Sequence, residues 1–417
     1  MPDGELNATS SRQFAVEIVR TLRTAGHTAL FAGGCVRDSL LGRTAKDYDV
    51  ATTASPDAVR ALFGRKRTLA IGASFGVIMV VGPGDAGHVE VATFRTEGPY
   101  LDGRRPESVA FCSPEEDARR RDFTINGMFF DPIEERIFDF VGGEADLSAK
   151  VIRAIGDPRE RVREDKLRML RAVRFAATLE FSLDRVTADA IRELSSELIV
   201  VSAERIAQEL KKMLVDRHRR RAIELACDVK LFRIILPELD LFQTLDAWNE
   251  TLRRIEMLER PSFELALASL LLPVAGEALV RGICRRLKLS NDELDKTVWL
   301  VVHSDDLNDA PELTLSTLKR ILAHPYRDDL LRLQRASCLA TSSSLASVEF
   351  CEDYLKTTSS DVIDPTPFVT GDDLIALGYK PGPKFKTLLE TLRDAQLNLE
   401  IASREQALDL AKVKWNR

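Results

Sequence analysis

The chain has little of what builds disulfide-linked, zinc-binding or membrane-spanning proteins. Its 417 residues include six cysteines and five histidines. The cysteines form no Cys-x-x-Cys pair and the histidines are scattered, which predicts free thiols and argues against a zinc site. No apolar run is long enough to cross a bilayer, and the first residues have neither the basic nor the apolar stretch of a secretory signal. We therefore expect a cytoplasmic protein without a membrane contact.

The chain also lacks an excess of positive charge. Lys and Arg number 59 against 65 for Asp and Glu, a formal net charge of −6. Net charge does not report local patches, so it neither indicates nor excludes nucleic-acid binding. The hydrophobic fraction of 45% is ordinary for a globular protein. A chain of this length is expected to form about two to four domains.

The pattern of the chain changes near residue 156. Before this point short strand-like runs alternate with turns and two short helices, and after it nearly every segment is helix-forming. This change predicts an α+β fold, with a small α/β domain followed by a helical second part. The first ten residues are polar, and we expect them to be disordered. The predicted strands cover residues 28–32, 48–51, 76–81, 89–94, 124–130 and 136–140.

A Gly-Gly pair followed by two aspartates is the most informative stretch. Gly33 and Gly34 allow a phosphate to approach the backbone at the start of a predicted helix, where free N–H groups favour anions. Arg37 adds a two-pronged donor for a phosphate. In extended chain, side chains two residues apart point the same way, so Asp47 and Asp49 would share one target. Mg²⁺ prefers such carboxylates together with substrate phosphates, so chemistry on a nucleoside triphosphate is predicted.

Four blocks in a fixed order resemble the class II tRNA nucleotidyltransferases, the family of CCA-adding enzymes and bacterial poly(A) polymerases. Any one block is modestly specific, whereas the ordered set is highly specific. A fifth segment, residues 371–386, is also similar to the C-terminal end of family members. The four blocks are residues 33–49, Arg-Arg-Asp-Phe-Thr-Ile-Asn at 120–126, Glu-Asp-Lys-Leu-Arg at 164–168 and Ala-Glu-Arg-Ile at 203–206.

The resemblance implies a polymerase-β-like nucleotidyltransferase head followed by all-helical neck, body and tail domains. The expected division is a catalytic head at residues 1–150, a nucleotide-recognising neck at 151–225, an RNA-binding body at 226–356 and a tRNA-binding tail at 357–417. Residues 102–106 would form a mobile loop. Family members that add the terminal A have such a loop, so it argues against an enzyme that adds only C.

The resemblance also implies roles for single residues. Asp47 and Asp49 would be the catalytic metal-binding pair for Mg²⁺, with Glu90 as a possible third carboxylate from a neighbouring strand. Gly34 and Arg37 would bind the triphosphate. Three further arginines would lie near the nucleotide, namely Arg121, Arg171 and Arg174.

Asp165 and Arg168 suit the reading of a nucleobase. Three residues apart, they would share one helix face. Cytosine and adenine both offer an amino donor beside a ring-nitrogen acceptor, which a carboxylate and a guanidinium complement. Uracil and guanine offer the reverse order and would leave two mismatched contacts. The pair therefore predicts selection of CTP and ATP, and the use of this motif in the family agrees.

The favoured interpretation is a template-independent enzyme that adds C, C and A to the 3′ end of tRNA from CTP and ATP. We expect in-line phosphoryl transfer assisted by two metal ions, with pyrophosphate released. Alternatives are an enzyme of the same family that adds only A, a catalytically idle RNA-binding relative, and an enzyme that nucleotidylates a small molecule or protein. No protein partner is implied.

Overall fold

The computed structural model describes residues 3–45, 47–72, 76–97, 109–241, 244–274 and 276–415. The chain divides into two compact units, Met1–Pro237 and Glu238–Arg417. The predicted four-domain division is finer than this, and it stays a prediction. Residues 102–106, for which a mobile loop is predicted, lie outside the described residues.

The first unit is built on a seven-stranded mixed sheet, as far as the described residues show. The strand order is β3-β4-β5-β2-β1-β8-β9, with β2 and β5 parallel and the other neighbours antiparallel. Two smaller pairs are β6 with β7 and β10 with β11. The strands are β1 Ala29–Ala32, β2 Asp49–Thr52, β3 Thr68–Gly72, β4 Val77–Val81, β5 His88–Thr93, β6 Arg95–Glu97, β7 Val109–Phe111, β8 Phe129–Asp131, β9 Arg136–Phe138, β10 Val151–Ile152 and β11 Ser182–Leu183.

The helices of this unit flank the sheet and then continue beyond it. Helix α3 begins at Pro56, because Ser55 accepts the N–H of Ala58 and proline suits the first turn. The helices are α1 Asp3–Thr24, α2 Gly34–Leu40, α3 Pro56–Phe63, α4 Pro114–Arg119, α5 Gly143–Ala149, α6 Pro158–Glu164, α7 Arg168–Thr178, α8 Arg185–Leu194, α9 Ala203–Leu214, α10 Arg219–Asp228 and α11 Phe232–Ile235.

The second unit consists of helices over its described residues. Its C-terminal part has a hydrophobic cluster of its own that includes Leu374, Phe385 and Leu392. No helix in the described part of the chain has the length and apolarity needed to span a membrane. The helices are α12 Leu245–Met257, α13 Phe263–Leu271, α14 Glu277–Arg286, α15 Asn291–Val302, α16 Leu315–Leu322, α17 Arg327–Thr341, α18 Ala346–Thr357, α19 Ser360–Ile363, α20 Gly371–Ala376, α21 Pro383–Leu397 and α22 Arg404–Trp415. The predicted α+β class is confirmed.

Two predictions about local structure are wrong. The first ten residues are not disordered from the start, because α1 begins at Asp3. The predicted strand at 124–130 is only three residues long, and Thr124–Asn126 forms a 3-10 turn instead. Side-chain bonds explain the turn: Thr124 donates to Asp146 at 2.7 Å and Asn126 donates to Asp122 at 3.1 Å. These contacts compete with a strand ladder.

The helix that was predicted to carry both Asp165 and Arg168 carries only one of them. Asp165 has extended backbone angles, φ −142° and ψ 103°, and α7 begins at Arg168. The carboxylate of Asp165 accepts the backbone N–H of Leu167 at 3.1 Å, a short-range bond that breaks the helix between α6 and α7. The prediction that Asp165 and Arg168 share one helix face is therefore wrong.

Gly143 provides the close approach that lets α5 pack against the 3-10 turn. A Cβ at this position would lie 2.4 Å from the carbonyl oxygen of Thr124 and 2.7 Å from Cγ of Met128. We expect Gly143→Ala to lower the free energy of unfolding by about 1–3 kcal/mol, because a backbone oxygen cannot yield as a side chain can. Urea denaturation would measure the change. Gly282→Ala in α14 is the control, since nothing lies within 4 Å of its Cβ position and alanine favours helix. A neutral Gly143→Ala variant would contradict this account.

Candidate active site

A polar cleft of about 710 Å³ opens in the first unit. Among its described lining residues, seven are basic and three are acidic, so a chain of negative net charge has a positive cleft. A polyanion with an attached metal suits such a mixture. The lining residues are Gly33, Gly34, Arg37, Asp47, Asp49, Arg120, Arg121, Asp122, Asn126, Arg168, Arg171, Arg174, Phe175 and Lys212.

The two aspartates of the predicted metal pair both line this cleft. Asp49 is the first residue of β2, and Asp47 lies just before the strand. Glu90 of β5 is the register partner of Asp49, so both side chains lie on the same side of the sheet. Burial, together with the charges of Glu90 and Asp47 and against the opposing charge of Arg121, raises the pKa of Asp49 to about 6.

The donor set fits a hard divalent cation. The ionised form of a partly buried carboxylate beside two like charges is unfavourable unless a cation binds among them. The raised pKa of Asp49 reflects this burial and repulsion. No three Asp, Glu, His or Cys side chains in the described part of the chain converge as a complete metal site. Two protein carboxylates leave positions for substrate phosphates, as Mg²⁺ prefers. Glu90 as a third ligand stays a prediction.

The Gly-Gly pair is placed at the mouth of the cleft, ahead of α2. Gly33 has a φ of +73°, and a Cβ there would lie 3.3 Å from Nη1 of Arg121. Both the backbone conformation and the space therefore require glycine. Arg37 of α2 is only 8% exposed and donates to Asp38 at 2.8 Å. Glycines and arginines thus surround one end of the cleft, beside Asp49.

A chain of hydrogen bonds joins the two ends of the cleft. Arg37 donates to the Asn126 side-chain oxygen at 2.8 Å, and the Asn126 amide donates to Asp122 at 3.1 Å. The other oxygen of Asp122 accepts two bonds from Arg171, at 2.9 and 2.6 Å. Burial would raise the pKa of Asp122, but the charge of Arg171 and the bond from Asn126 outweigh it, and the pKa falls to about 2. The Asp122 charge in turn raises the pKa of Arg171.

Three of the arginines pack against one aromatic ring, that of Phe175. The guanidinium carbons of Arg37, Arg171 and Arg174 lie 5.2, 5.3 and 4.1 Å from the ring centre of Phe175. Each such contact is favourable by about 0.5–1 kcal/mol. Arg174 is also held by Glu209 of α9, to which it donates at 2.6 Å.

The predicted base-reading pair is held by other partners. Asp165 is absent from the cleft lining and accepts from Arg205 at 2.7 Å. Arg168 does line the cleft, and it donates to Glu164 at 2.5 Å. The same guanidinium also donates to the backbone oxygens of residues 161 and 120. Both groups are therefore preorganised by bonds to their own neighbourhood.

The structure thus brings together the predicted residues Gly34, Arg37, Asp47, Asp49, Arg121, Arg168, Arg171 and Arg174 in one cleft. Glu90 is the register partner of Asp49 on the neighbouring strand. Asp165 follows the end of α6, before α7 begins at Arg168. Sequence reasoning missed the cleft roles of Asn126, Phe175 and Lys212. Asn126 belongs to the 120–126 block, so that motif contained a signal for it, whereas Phe175 and Lys212 lie outside the four blocks.

Two family models match the chain. Residues 29–153 match the poly A polymerase head domain, and residues 180–242 match a probable RNA and SrmB-binding site of polymerase A. The CCA-adding enzyme of Pediococcus pentosaceus is 34% identical over 397 residues, which cover 94% of this chain and 95% of that one. The chain belongs to the class II tRNA nucleotidyltransferase and poly(A) polymerase family. The predicted family and the predicted enzyme class, a nucleotidyltransferase, are confirmed.

Other members of the family extend the comparison. The CCA-adding enzyme of Bacillus subtilis is 45% identical over 219 residues, about half of each chain. The structure of the Bacillus stearothermophilus CCA-adding enzyme in complex with CTP superposes with a TM-score of 0.79, at 29% identity and 98% coverage of both chains. A Thermotoga maritima CCA-adding enzyme complexed with tRNA shares the fold, with a TM-score of 0.60 at 21% identity. Enzymes of this nucleotidyltransferase family generally use divalent metal ions.

The lowered pKa of Asp122 makes a prediction about stability and pH. A carboxyl whose pKa is 3.8 in the unfolded chain and about 2 in the fold stabilises the fold fully above pH 4, and this stabilisation is lost as the pH falls through 2. We expect Asp122→Asn to lower the free energy of unfolding near pH 7 by roughly 2 kcal/mol. Urea denaturation at several pH values would show the difference from wild type shrinking below about pH 4.

The control for this experiment is Asp57→Asn, which removes an exposed carboxylate of α3. It is expected to leave stability nearly unchanged at every pH. If Asp122→Asn had the same small effect as this control, the ion pair with Arg171 would not stabilise the fold.

Proposed function

We propose that this chain adds C, C and A to the 3′ end of tRNA, using CTP and ATP and releasing pyrophosphate. The observation that carries the proposal is the cleft in which a carboxylate pair adjoins a cluster of arginines. Its support is the similarity, over almost the whole chain, to proteins named CCA-adding enzymes. A cytoplasmic location is part of the same proposal.

Asp47 and Asp49 would hold Mg²⁺, with Glu90 available as a further oxygen ligand. When bound, the metal would supply Lewis-acid stabilisation of the triphosphate charge, and a second ion would activate the attacking hydroxyl. The chain's own contribution is to place the two carboxylates together at the start of β2. The neighbouring charge of Arg121 favours the ionised form of Asp49.

The triphosphate would bind between the glycines and the arginines. Gly34 leaves the backbone N–H groups of α2 accessible, and Arg37 and Arg121 supply forked donors. Arg171 and Arg174 extend the positive surface toward the base. Because their guanidinium groups are already held by carboxylates and by Phe175, little conformational entropy is lost when the nucleotide binds.

The base would be read by Asp165 and Arg168. The helix break places Asp165 outside α7, so the pair would act from the start of the helix rather than from one face of it. Reading requires the carboxylate of Asp165 to accept from the base amino group while Arg205 remains nearby. Arg168 would donate to the ring nitrogen of the base while its bond to Glu164 keeps it aligned, as the bond from Arg205 does for Asp165.

The acceptor would be tRNA. The match to an RNA-binding model over residues 180–242 supports an RNA surface beyond the nucleotide cleft. Within the proposed head, neck, body and tail division, the body and tail would bind the rest of the tRNA. The hydrophobic cluster around Phe385 supports a tail with a core of its own.

A second candidate is an enzyme of the same family that adds only A, either to tRNA or as a poly(A) tail. It is favoured by the two family models, both of which describe polymerase A. Cytosine and adenine present the same donor and acceptor order, so the cleft chemistry suits both candidates.

The product of the reaction separates the candidates. Incubation with tRNA lacking CCA, with CTP alone, ATP alone or both, followed by sequencing of the 3′ ends, is expected to show C, C and A addition. Asp49→Asn is expected to lower incorporation at least about a thousandfold, because a metal ligand is lost. Asp57→Asn removes an exposed carboxylate and is the control. Addition of A without C would favour the second candidate, and an active Asp49→Asn variant would overturn the metal assignment.

Base selection makes a separate prediction. An asparagine at position 165 can turn its amide donor toward the carbonyl of uracil. We therefore expect Asp165→Asn to reduce the preference for CTP over UTP roughly tenfold, measured as the ratio of kcat/KM values. Glu204→Gln on the exposed side of α9 is the control. An unchanged ratio in Asp165→Asn would show that this carboxylate does not read the base.

A further inference from the structure

A single buried carboxylate holds two arginines of the cleft. Asp117 of α4 is 1% exposed. Its Oδ1 accepts from Nε of Arg120 at 2.8 Å, and its Oδ2 accepts from Nε and Nη2 of Arg121 at 3.1 and 2.9 Å. The backbone N–H of Arg95 donates to the same carboxylate at 3.2 Å. Every contact of Asp117 is thus directed to a neighbour in the chain, and Asp117 itself does not line the cleft.

The two arginines lie where the reacting end of a nucleotide would bind. Arg121 packs its guanidinium 4.8 Å from the ring centre of Phe129, and its Nη1 donates to the backbone oxygen of residue 126 at 3.2 Å. The same Nη1 lies 3.3 Å from the Cβ position of Gly33. The Phe129 ring, the backbone carbonyl and Asp117 together fix this guanidinium beside Gly33, whose Cβ position is also 4.0 Å from Oδ2 of Asp49.

Arg120 connects this end of the cleft to the other. Its side chain is held by Asp117, while its backbone oxygen accepts from Nη2 of Arg168 at 3.2 Å. Two adjacent guanidinium groups repel each other, and Arg121 is also attracted to the charge of Asp49. A shared buried carboxylate opposes both tendencies, because it offers each arginine a closer partner. Burial would raise the pKa of Asp117, but the charges of Arg121 and Arg120 keep it below its usual value.

We propose, on the basis of the nucleotidyltransferase function proposed above, that Asp117 is a positioning residue that aligns Arg120 and Arg121 on the triphosphate of the incoming nucleotide. It touches neither substrate nor metal. Without it, Arg121 is free to swing onto Asp49, where it competes with the metal. The phosphate end of the site then loses affinity, and the base and ribose end does not.

The test compares binding of CTP and CMP, measured by calorimetry in Mg²⁺ buffer without tRNA, so that no turnover occurs. In Asp117→Asn, the Kd for CTP is expected to rise about tenfold while the Kd for CMP changes less than about twofold. A loss of folding would weaken both ligands equally, so the ratio of the two Kd values separates positioning from stability.

Asp131→Asn is the matched control. Asp131 is also 1% exposed, also holds an arginine and also accepts backbone N–H bonds, but its arginine, Arg23, does not line the cleft. Both Kd values should stay at their wild-type level in this variant. A CTP to CMP ratio in Asp117→Asn equal to that of Asp131→Asn would overturn the positioning role.

A second variant keeps the test decisive if Asp117→Asn does not fold. Arg121→Lys retains the positive charge but not the forked contact, and it is expected to raise the Kd for CTP selectively. Where Asp117→Asn does fold, the double variant Asp117→Asn/Arg121→Lys should show less than additive effects on the Kd for CTP, since Asp117 acts through Arg121. Full additivity, or no selective effect of Arg121→Lys, would contradict the inference. If the wild-type protein bound neither CTP nor ATP, the proposed function itself would fail instead.

Discussion

The ion pair between Asp122 and Arg171 is the contact on which the cleft depends. The two residues are 49 positions apart, and their bond joins the 3-10 turn beside the sheet to helix α7. The side chain of Asp122 is 11% exposed, so its charge is stabilised chiefly by its partners rather than by water. Removing one partner of such a pair would leave the other charge uncompensated in a place with little access to water. Through Asn126 the same contact reaches Arg37 at the phosphate end of the cleft.

The other arginines of the cleft are stabilised in the same way, by a carboxylate partner. Several guanidinium groups within one small volume repel each other, and a site with only positive charges would be unstable before any nucleotide arrived. Each arginine is instead paired with a carboxylate. The pairs are Arg37 with Asp38, Arg120 and Arg121 with Asp117, Arg168 with Glu164, Arg171 with Asp122 and Arg174 with Glu209. Preorganisation of this kind lowers the entropy that binding would otherwise cost.

Local rules predicted much of the secondary structure. The serine and proline that start α3, and the threonine and aspartate that cap α20, act over three or four residues, so the sequence alone identifies them. Short strands with a polar end were harder. Residues 124–130 contain enough apolar residues for a strand, but Thr124 and Asn126 bond to partners that are distant in sequence, and a turn results. The helix break at Asp165 is a similar case, because the carboxylate bonds to its own backbone and to Arg205.

By itself the sequence determined the family, the α+β class and the residues that carry the chemistry, because motif identity and the alternation of residue types are local properties. Only the tertiary structure decided which of these residues share a cleft and what holds them there. Asp117, Phe175 and Glu209 were inconspicuous in the sequence, yet their contacts orient the arginines. A side chain that acts by holding another one is recognised from distances in space. Where the partners come from different helices, as Arg174 and Glu209 do, sequence spacing does not report these distances.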